Sequence, residues 1–224
     1  MNIAWLGQSS AHVTDVGDGH RLHEDIIGPF TAMQKAAARD NIDCQLVSGF
    51  RDFERQLAIW NKKWRGDLPL LDYDGQPLNS HQLSDYERMH AILTWSALPG
   101  GSRHHWGTDI DVYDKQNVIR HDHKFALVDS EYRAQGPCAA LSQWLDVHAR
   151  EYGFERPYLT YTGGVACELW HLSHQPIAAR FEAARDCQQL AVLLSQSQIE
   201  GKEIVIKHIE TLYEQYVLNK GKTS

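Results

Sequence analysis

The run Ser102-Arg103-His104-His105-Trp106-Gly107-Thr108-Asp109-Ile110-Asp111 constrains this chain more than any other stretch. It places imidazoles and carboxylates on either side of a glycine and then passes into alternation. Thr108, Ile110 and Val112 fall on one side, and Asp109, Asp111 and Tyr113 on the other, which is the two-residue period of a strand. The alternation predicts Ile110 and Val112 in the core, with Asp109 and Asp111 together on the opposite face. A shorter stretch, Glu168-Leu169-Trp170-His171, adds a second imidazole and a further carboxylate. His104, Asp111 and His171 are therefore candidate metal ligands. Zinc favours nitrogen and oxygen donors in tetrahedral array, and a catalytic ion leaves one position open for water. Glu168 remains as a candidate base for that water. On a strict strand Glu168 and His171 would face opposite ways, so the backbone between them is expected to be irregular.

The remaining features bound the class of molecule. A chain of 224 residues with 42% hydrophobic and 23% charged residues is long enough to bury a core. Its formal charge of -7 argues against general nucleic-acid binding. No apolar run approaches the roughly 18–20 residues of a membrane helix. The start, Met1-Asn2-Ile3-Ala4-Trp5-Leu6-Gly7, lacks a basic region followed by a long apolar one, and the expected location is the cytoplasm. Cys44, Cys138, Cys167 and Cys187 are widely spaced and form no CxxC pair, so reduced thiols are expected.

Taken in order, the chain predicts a helix from about Pro29 to Arg39, with proline in its first turn. A short strand Gln45-Leu46-Val47 feeds Ser48-Gly49-Phe50-Arg51, and Asp52 caps a helix to about Trp64. Residues 65–80 form a long loop, of the kind that borders sites. Ser84-Asp85-Tyr86-Glu87 has capping-box form and opens a helix to about Ala97. Asp114 to Asp129 is expected to be a hairpin or loop, and Ala139 to Tyr152 a helix ended by Gly153. Tyr158 to Tyr161 and Glu168 to Leu172 read as strands. Helices are predicted from about Ile177 to Ser195 and from about Lys202 to Leu218. Other histidine groups, His20 with His23 and His121-Asp122-His123, lack a flanking element to fix them as ligands.

Arg51, presented after a strand and a glycine, is a candidate to stabilise an oxyanion or to clamp a carboxylate, the alternative being an ordinary surface arginine. His104 and His105 are adjacent and compete for the ligand role.

Three motifs occur in order over roughly residues 45–175. Ser102-x-His104-x-x-Gly107-x-x-x-Asp111 resembles the first zinc motif of the VanY-type D-alanyl-D-alanine carboxypeptidases. Glu168-x-Trp170-His171 resembles their second, and Ser48-Gly49-Phe50-Arg51 with Gln56 resembles their SGYR segment and following glutamine. The resemblance implies an α+β fold in which a small antiparallel sheet carries the zinc, flanked by helices. It implies Zn2+ bound by His104, Asp111 and His171, Glu168 as base, Arg51 at the scissile carbonyl or the peptide, and Ser102 and Gln56 holding the substrate's C-terminal end. The substrates implied are peptidoglycan stem peptides or precursors cut before D-alanine. The family usually has alanine where this chain has Asp109, which would then raise the Asp111 pKa, support a ligand or cap a turn. His174 stands where an aromatic residue is expected and is placed at the rim.

The expected organisation is a zinc peptidase domain over residues 1–176, with a helical extension over 177–224 packed on it. The expected activity is that of a zinc-dependent D,D- or L,D-carboxypeptidase. A D-alanyl-D-alanine dipeptidase and a stem-peptide endopeptidase are close alternatives. A non-enzymatic peptide-binding module would have no need of Glu168, and a purely structural zinc would call for four protein ligands.

Overall fold

The computed structural model describes residues 3–221. Strands β1 (Val13–Gly17) and β2 (His20–His23) form a hairpin that leads into helix α1 (Glu24–Arg39). The helix starts earlier than Pro29. His23 accepts the Asp25 amide as its cap, and Glu24 and Asp25 suit the positive end of the helix dipole. Pro29 thus lies inside the helix, where it lacks the N–H of one turn. The pair His20 and His23 accordingly serves a strand and a helix entry.

Strand β3 (Cys44–Ser48) precedes helix α2 (Phe53–Arg65), which Asp52 caps through the Arg55 amide. The segment expected to be a loop contains a small hairpin, β4 (Leu70–Leu71) with β5 (Pro77–Leu78). Helix α3 (Asp85–Trp95) opens on the capping box of Ser84 and Glu87. A 3-10 turn, Arg103–Trp106, then leads through Gly107 into strand β6 (Asp109–Asp114). Gly107 is left-handed at φ 67°, and a Cβ there would stand 2.8 Å from the His23 amide nitrogen, so the turn requires glycine.

A helix, α4 (Lys115–Arg120), follows β6 in place of the expected hairpin or loop. Asp114 caps it by accepting the Asn117 amide, and Val118 anchors it in a small apolar cluster. Helix α5 (Ala139–His148) runs on through a 3-10 turn to the left-handed Gly153. Strand β7 (Phe154–Glu155) comes next. Tyr158 to Tyr161 is not a strand, because the place beside the next strand is already taken by Phe154 and Glu155. That next strand, β8 (His171–His174), begins at the candidate ligand His171, and Glu168 sits in the turn before it.

The central sheet has the order β3-β6-β8-β7, and every pair in it is antiparallel. Ile110, Val112 and Leu172 face the hydrophobic core with Met33, Trp60 and Phe154. Beyond the sheet come α6 (Gln175–Glu182), α7 (Cys187–Gln196), α8 (Lys202–Lys207) and α9 (Ile209–Leu212). Each of the two helices expected here is divided: Asp186 caps a new start through the Gln189 amide, and His208 interrupts the second. Phe181, Leu190, Leu194, Val205 and Leu212 are buried in the same cluster as the sheet residues. All four cysteines are unpaired. Among the described residues no helix is long and apolar enough to cross a membrane.

Candidate active site

The polar face of β6 becomes a site because β8 lies directly beside it. Asp111 is in register with His171, and Asp109 with Ser173. His171 Nδ1 lies 3.1 Å from Asp111 Oδ1, and His104 Nε2 lies 3.3 Å from Asp111 Oδ2. One ligand atom from each of His104, Asp111 and His171 lies within 4.8 Å of the others, and all three residues are buried.

The outer nitrogen of each ring is engaged, which aims the inner one. His104 Nδ1 donates to the Gly49 carbonyl at 2.9 Å. A carbonyl can only accept, so the proton sits on Nδ1 and leaves the Nε2 lone pair directed at Asp111. His171 Nε2 donates to Asp109 Oδ1 at 3.0 Å. Asp109 thus supports a candidate ligand. The Asp111 carboxyl itself lies far below the usual range: burial favours a rise, but His104 and His171 outweigh it.

Burial disfavours charge on His171, yet its hydrogen bonds to Asp109 and Asp111 prevail and hold its pKa up at about 9. Burial lowers that of His104, which leaves it a neutral imidazole. The carboxylates of Asp109 and Asp111 therefore favour positive charge at the point where the three side chains meet. Two imidazoles and a carboxylate with engaged outer atoms are a donor set that suits a divalent transition metal in a three-ligand, open site.

Glu168 Oε2 lies 3.5 Å from His171 Nδ1, brought there by the turn in which the His171 amide bonds the Glu168 carbonyl. Burial pushes its pKa up to about 7, with His171 opposing and Asp111 reinforcing the shift. Arg51 is not a surface arginine. Its Nη2 stands 3.8 Å from Asp111 Oδ2, and its Nε is buried without a hydrogen-bond partner among the described residues.

These residues, with Ser102, line a cleft of about 830 Å³. Gln56 does not line it. It is fully buried, accepts from Arg51 Nη1 at 3.2 Å and donates to the Ala97 carbonyl at 2.8 Å, so it holds Arg51 rather than reaching a substrate. His105 points away from the triad, with Nδ1 donating to the Arg51 carbonyl at 2.6 Å and Nε2 accepting the Gly100 amide at 3.0 Å. His174 is likewise not at the rim. It alternates with Ser173 on β8, packs against Phe154 at 5.1 Å and is 6% exposed. His123 pairs with the buried Glu131 at 2.7 Å, which also accepts the Ala126 and Val128 amides and shapes one cleft wall.

Several lining residues carry no mark in the sequence. Tyr158 packs its ring on His171 at 5.0 Å, and Arg103 and the hairpin residue Tyr73 also face the cleft. The β-prone run Tyr158-Leu159-Thr160-Tyr161 suggests a strand and conceals the turn that presents Tyr158.

A sequence model of the D-alanyl-D-alanine carboxypeptidase family VanY matches residues 19–177, well over half of the chain. The chain belongs to the VanY family. Among curated relatives, an uncharacterised protein of Haemophilus influenzae is 38% identical over 96 residues, covering 41% of this chain and 66% of that protein. A D-alanyl-D-alanine carboxypeptidase of Enterococcus faecalis is 26% identical over 175 residues, covering 77% of this chain and 55% of that one. The chain thus spans less than two thirds of each of these two relatives. Among solved structures, VanYB in complex with D-alanine-D-alanine superposes with a TM-score of 0.52 at 22% identity, covering 85% of this chain and 92% of that one. The LD-carboxypeptidase LdcB superposes at 0.54 with 16% identity, covering 82% and 79%. At these identities the likeness establishes the VanY-like fold.

Proposed function

We propose that this VanY-family protein is a zinc carboxypeptidase that removes a C-terminal D-alanine from peptidoglycan stem peptides or their precursors. The observation that carries the reading is the convergence of His104 Nε2, Asp111 and His171 Nδ1 at the floor of the cleft, with the Glu168 carboxyl 3.5 Å from His171. Support for the substrate class comes from the family model and from the Enterococcus faecalis carboxypeptidase.

A zinc ion held by His104, Asp111 and His171 would supply Lewis acidity, polarising the scissile carbonyl and acidifying the attacking water. Glu168 takes the proton from that water and delivers it to the departing amine of D-alanine. Its burial favours this two-way exchange near neutrality, since the pKa is pushed up to about 7. Arg51 lines the same cleft, and its guanidinium donates to the oxygen on which negative charge develops. Gln56 fixes the plane of that guanidinium. Ser102, buried in the cleft wall, offers its hydroxyl to the peptide's terminal carboxylate.

The test is mass spectrometry of zinc-loaded protein incubated with stem pentapeptide and tetrapeptide, with Glu168→Ala as control. Loss of one D-alanine from the pentapeptide, absent in the variant, is the D,D outcome. Loss from the tetrapeptide is the L,D outcome. An intact pair of peptides beside zinc-loaded protein would overturn the assignment.

A further inference from the structure

Asp109 lies on β6, and its hydrogen-bond network extends past the end of the family match at residue 177. Asp109 is completely buried and accepts four hydrogen bonds. Oδ1 takes Arg103 Nε at 2.7 Å and His171 Nε2 at 3.0 Å. Oδ2 takes the Thr108 hydroxyl at 2.8 Å and the Ser173 hydroxyl at 3.2 Å. Arg103 in turn directs its other two groups to Ser173 Oγ and to Glu182 Oε1, each at 2.7 Å. Glu182 is the last residue of α6. The residue before it, Phe181, stacks on Trp106 at 5.7 Å and 7°, and Trp106 carries the Arg103 guanidinium on its face at 4.6 Å.

We propose that α6 is a working part of the metal site: Glu182, acting through Arg103 and Asp109, fixes the His171 imidazole in the orientation its ligand role requires. The inference rests on the metal-site reading above. One oxygen, Asp109 Oδ1, receives both the guanidinium and the imidazole, so a displacement of Arg103 moves the acceptor that aims the ring. Arg103 also lines the cleft. Glu182, which is not among the residues lining the cleft, holds Nη1. Partners of metal-bound histidines commonly set metal affinity because they fix ring orientation and ligand basicity. Glu182 is a positioning residue in this scheme and touches neither metal nor substrate. The helical segment beyond residue 177 then joins the same functional unit as the three motifs.

The experiment measures zinc affinity of the full chain by competition with a chromophoric chelator, for the parent, Glu182→Gln, Asp109→Asn and the double variant. Parent protein binding one zinc, with binding abolished in His171→Ala, establishes the site itself. Asp109→Asn is expected to weaken zinc by about 10- to 100-fold, and Glu182→Gln by about tenfold. The decisive quantity is the cycle. If Glu182 acts through Asp109, its effect shrinks towards none when Asp109 is already asparagine. An equal loss from Glu182→Gln in both backgrounds would mean that it acts through general packing, and the proposal would fall. Unchanged affinity in Glu182→Gln would also overturn it while leaving the metal site standing. A parent that binds no zinc would remove both readings together.

Discussion

His105, one residue from the candidate ligand His104, is the sharpest test of the local geometry. Burial lowers its pKa to about 4, with the Arg51 carbonyl opposing the shift and the Arg51 and His104 charges adding to it. It is fully buried, and Nε2 already accepts the Gly100 amide, so a proton there would face another donor. In the unfolded chain the ring titrates near about 6.5. Between these values the unfolded state binds more protons than the folded one, so stability falls as the pH falls through the window. The full effect, from about 6.5 to about 4 at about 1.4 kcal/mol per pH unit, is about 3.5 kcal/mol, of which about 2 kcal/mol is lost by about pH 5. The assay is urea unfolding of metal-free protein at about pH 7.5 and about pH 5, parent against His105→Gln. His12, His23, His104 and His174 are also lowered and add acid lability of the same sign, but they remain in both proteins. The variant should be weaker at neutral pH and should lose about 2 kcal/mol less on acidification. If both proteins lose the same amount, within about 0.5 kcal/mol, His105 is not the buried neutral group described here. Should the variant not fold, NMR titration of the parent decides the point: a His105 ring that protonates near about pH 6.5 refutes the geometry.

Further consequences can be checked independently. His171→Ala removes a ligand and should abolish stoichiometric zinc in native mass spectrometry; retained zinc would disprove the ligand set. Gln56→Leu frees the Arg51 guanidinium without touching the cleft surface, so kcat should fall by up to about 100-fold with little change in KM. A rise in KM alone would instead return Gln56 to direct substrate contact. Trp60→Ala deletes a fully buried ring whose Nε1 donates to the Glu200 carbonyl at 3.0 Å. It should cost about 3–5 kcal/mol in urea unfolding, and a loss below about 1 kcal/mol would mean the C-terminal segment does not depend on that contact.

The sequence makes some of this legible for physical reasons. Alternation from Thr108 to Tyr113 fixes both faces of β6, because period two leaves little choice once Ile110 and Val112 must be buried. The three-residue interval between Glu168 and His171 demands a turn, and the turn is there. Caps at Asp52 and Ser84 are local interactions and are readable locally. What escapes is long-range. Arg103 and Glu182 are 79 residues apart, and nothing in either neighbourhood marks the other. Gln56 resembles a substrate contact by position, but its partners Arg51 and Ala97 become visible only after folding. Tyr158 is hidden for a related reason: strand-like composition yields to competition for a single edge of β8, which Phe154 and Glu155 win.

The same register explains why three separated motifs make one site. Ser48 pairs with Asp111 on one side of β6, and His171 pairs with Asp111 on the other, so one row across the sheet joins all three motifs. The irregularity between Leu46 and Ser48 sets where the first motif leaves that row. From there the Arg51 amide bonds the His104 carbonyl at 3.1 Å, while His104 and His105 bond back to the Gly49 and Arg51 carbonyls. A slip of one residue between β6 and β8 would turn Asp109 and Asp111 into the apolar core and bring Ile110 to His171. The burial of Ile110, Val112 and Leu172 therefore does more than stabilise the fold. By making the slipped register too costly, the apolar face of the strand holds the polar face in the one arrangement that can gather a metal.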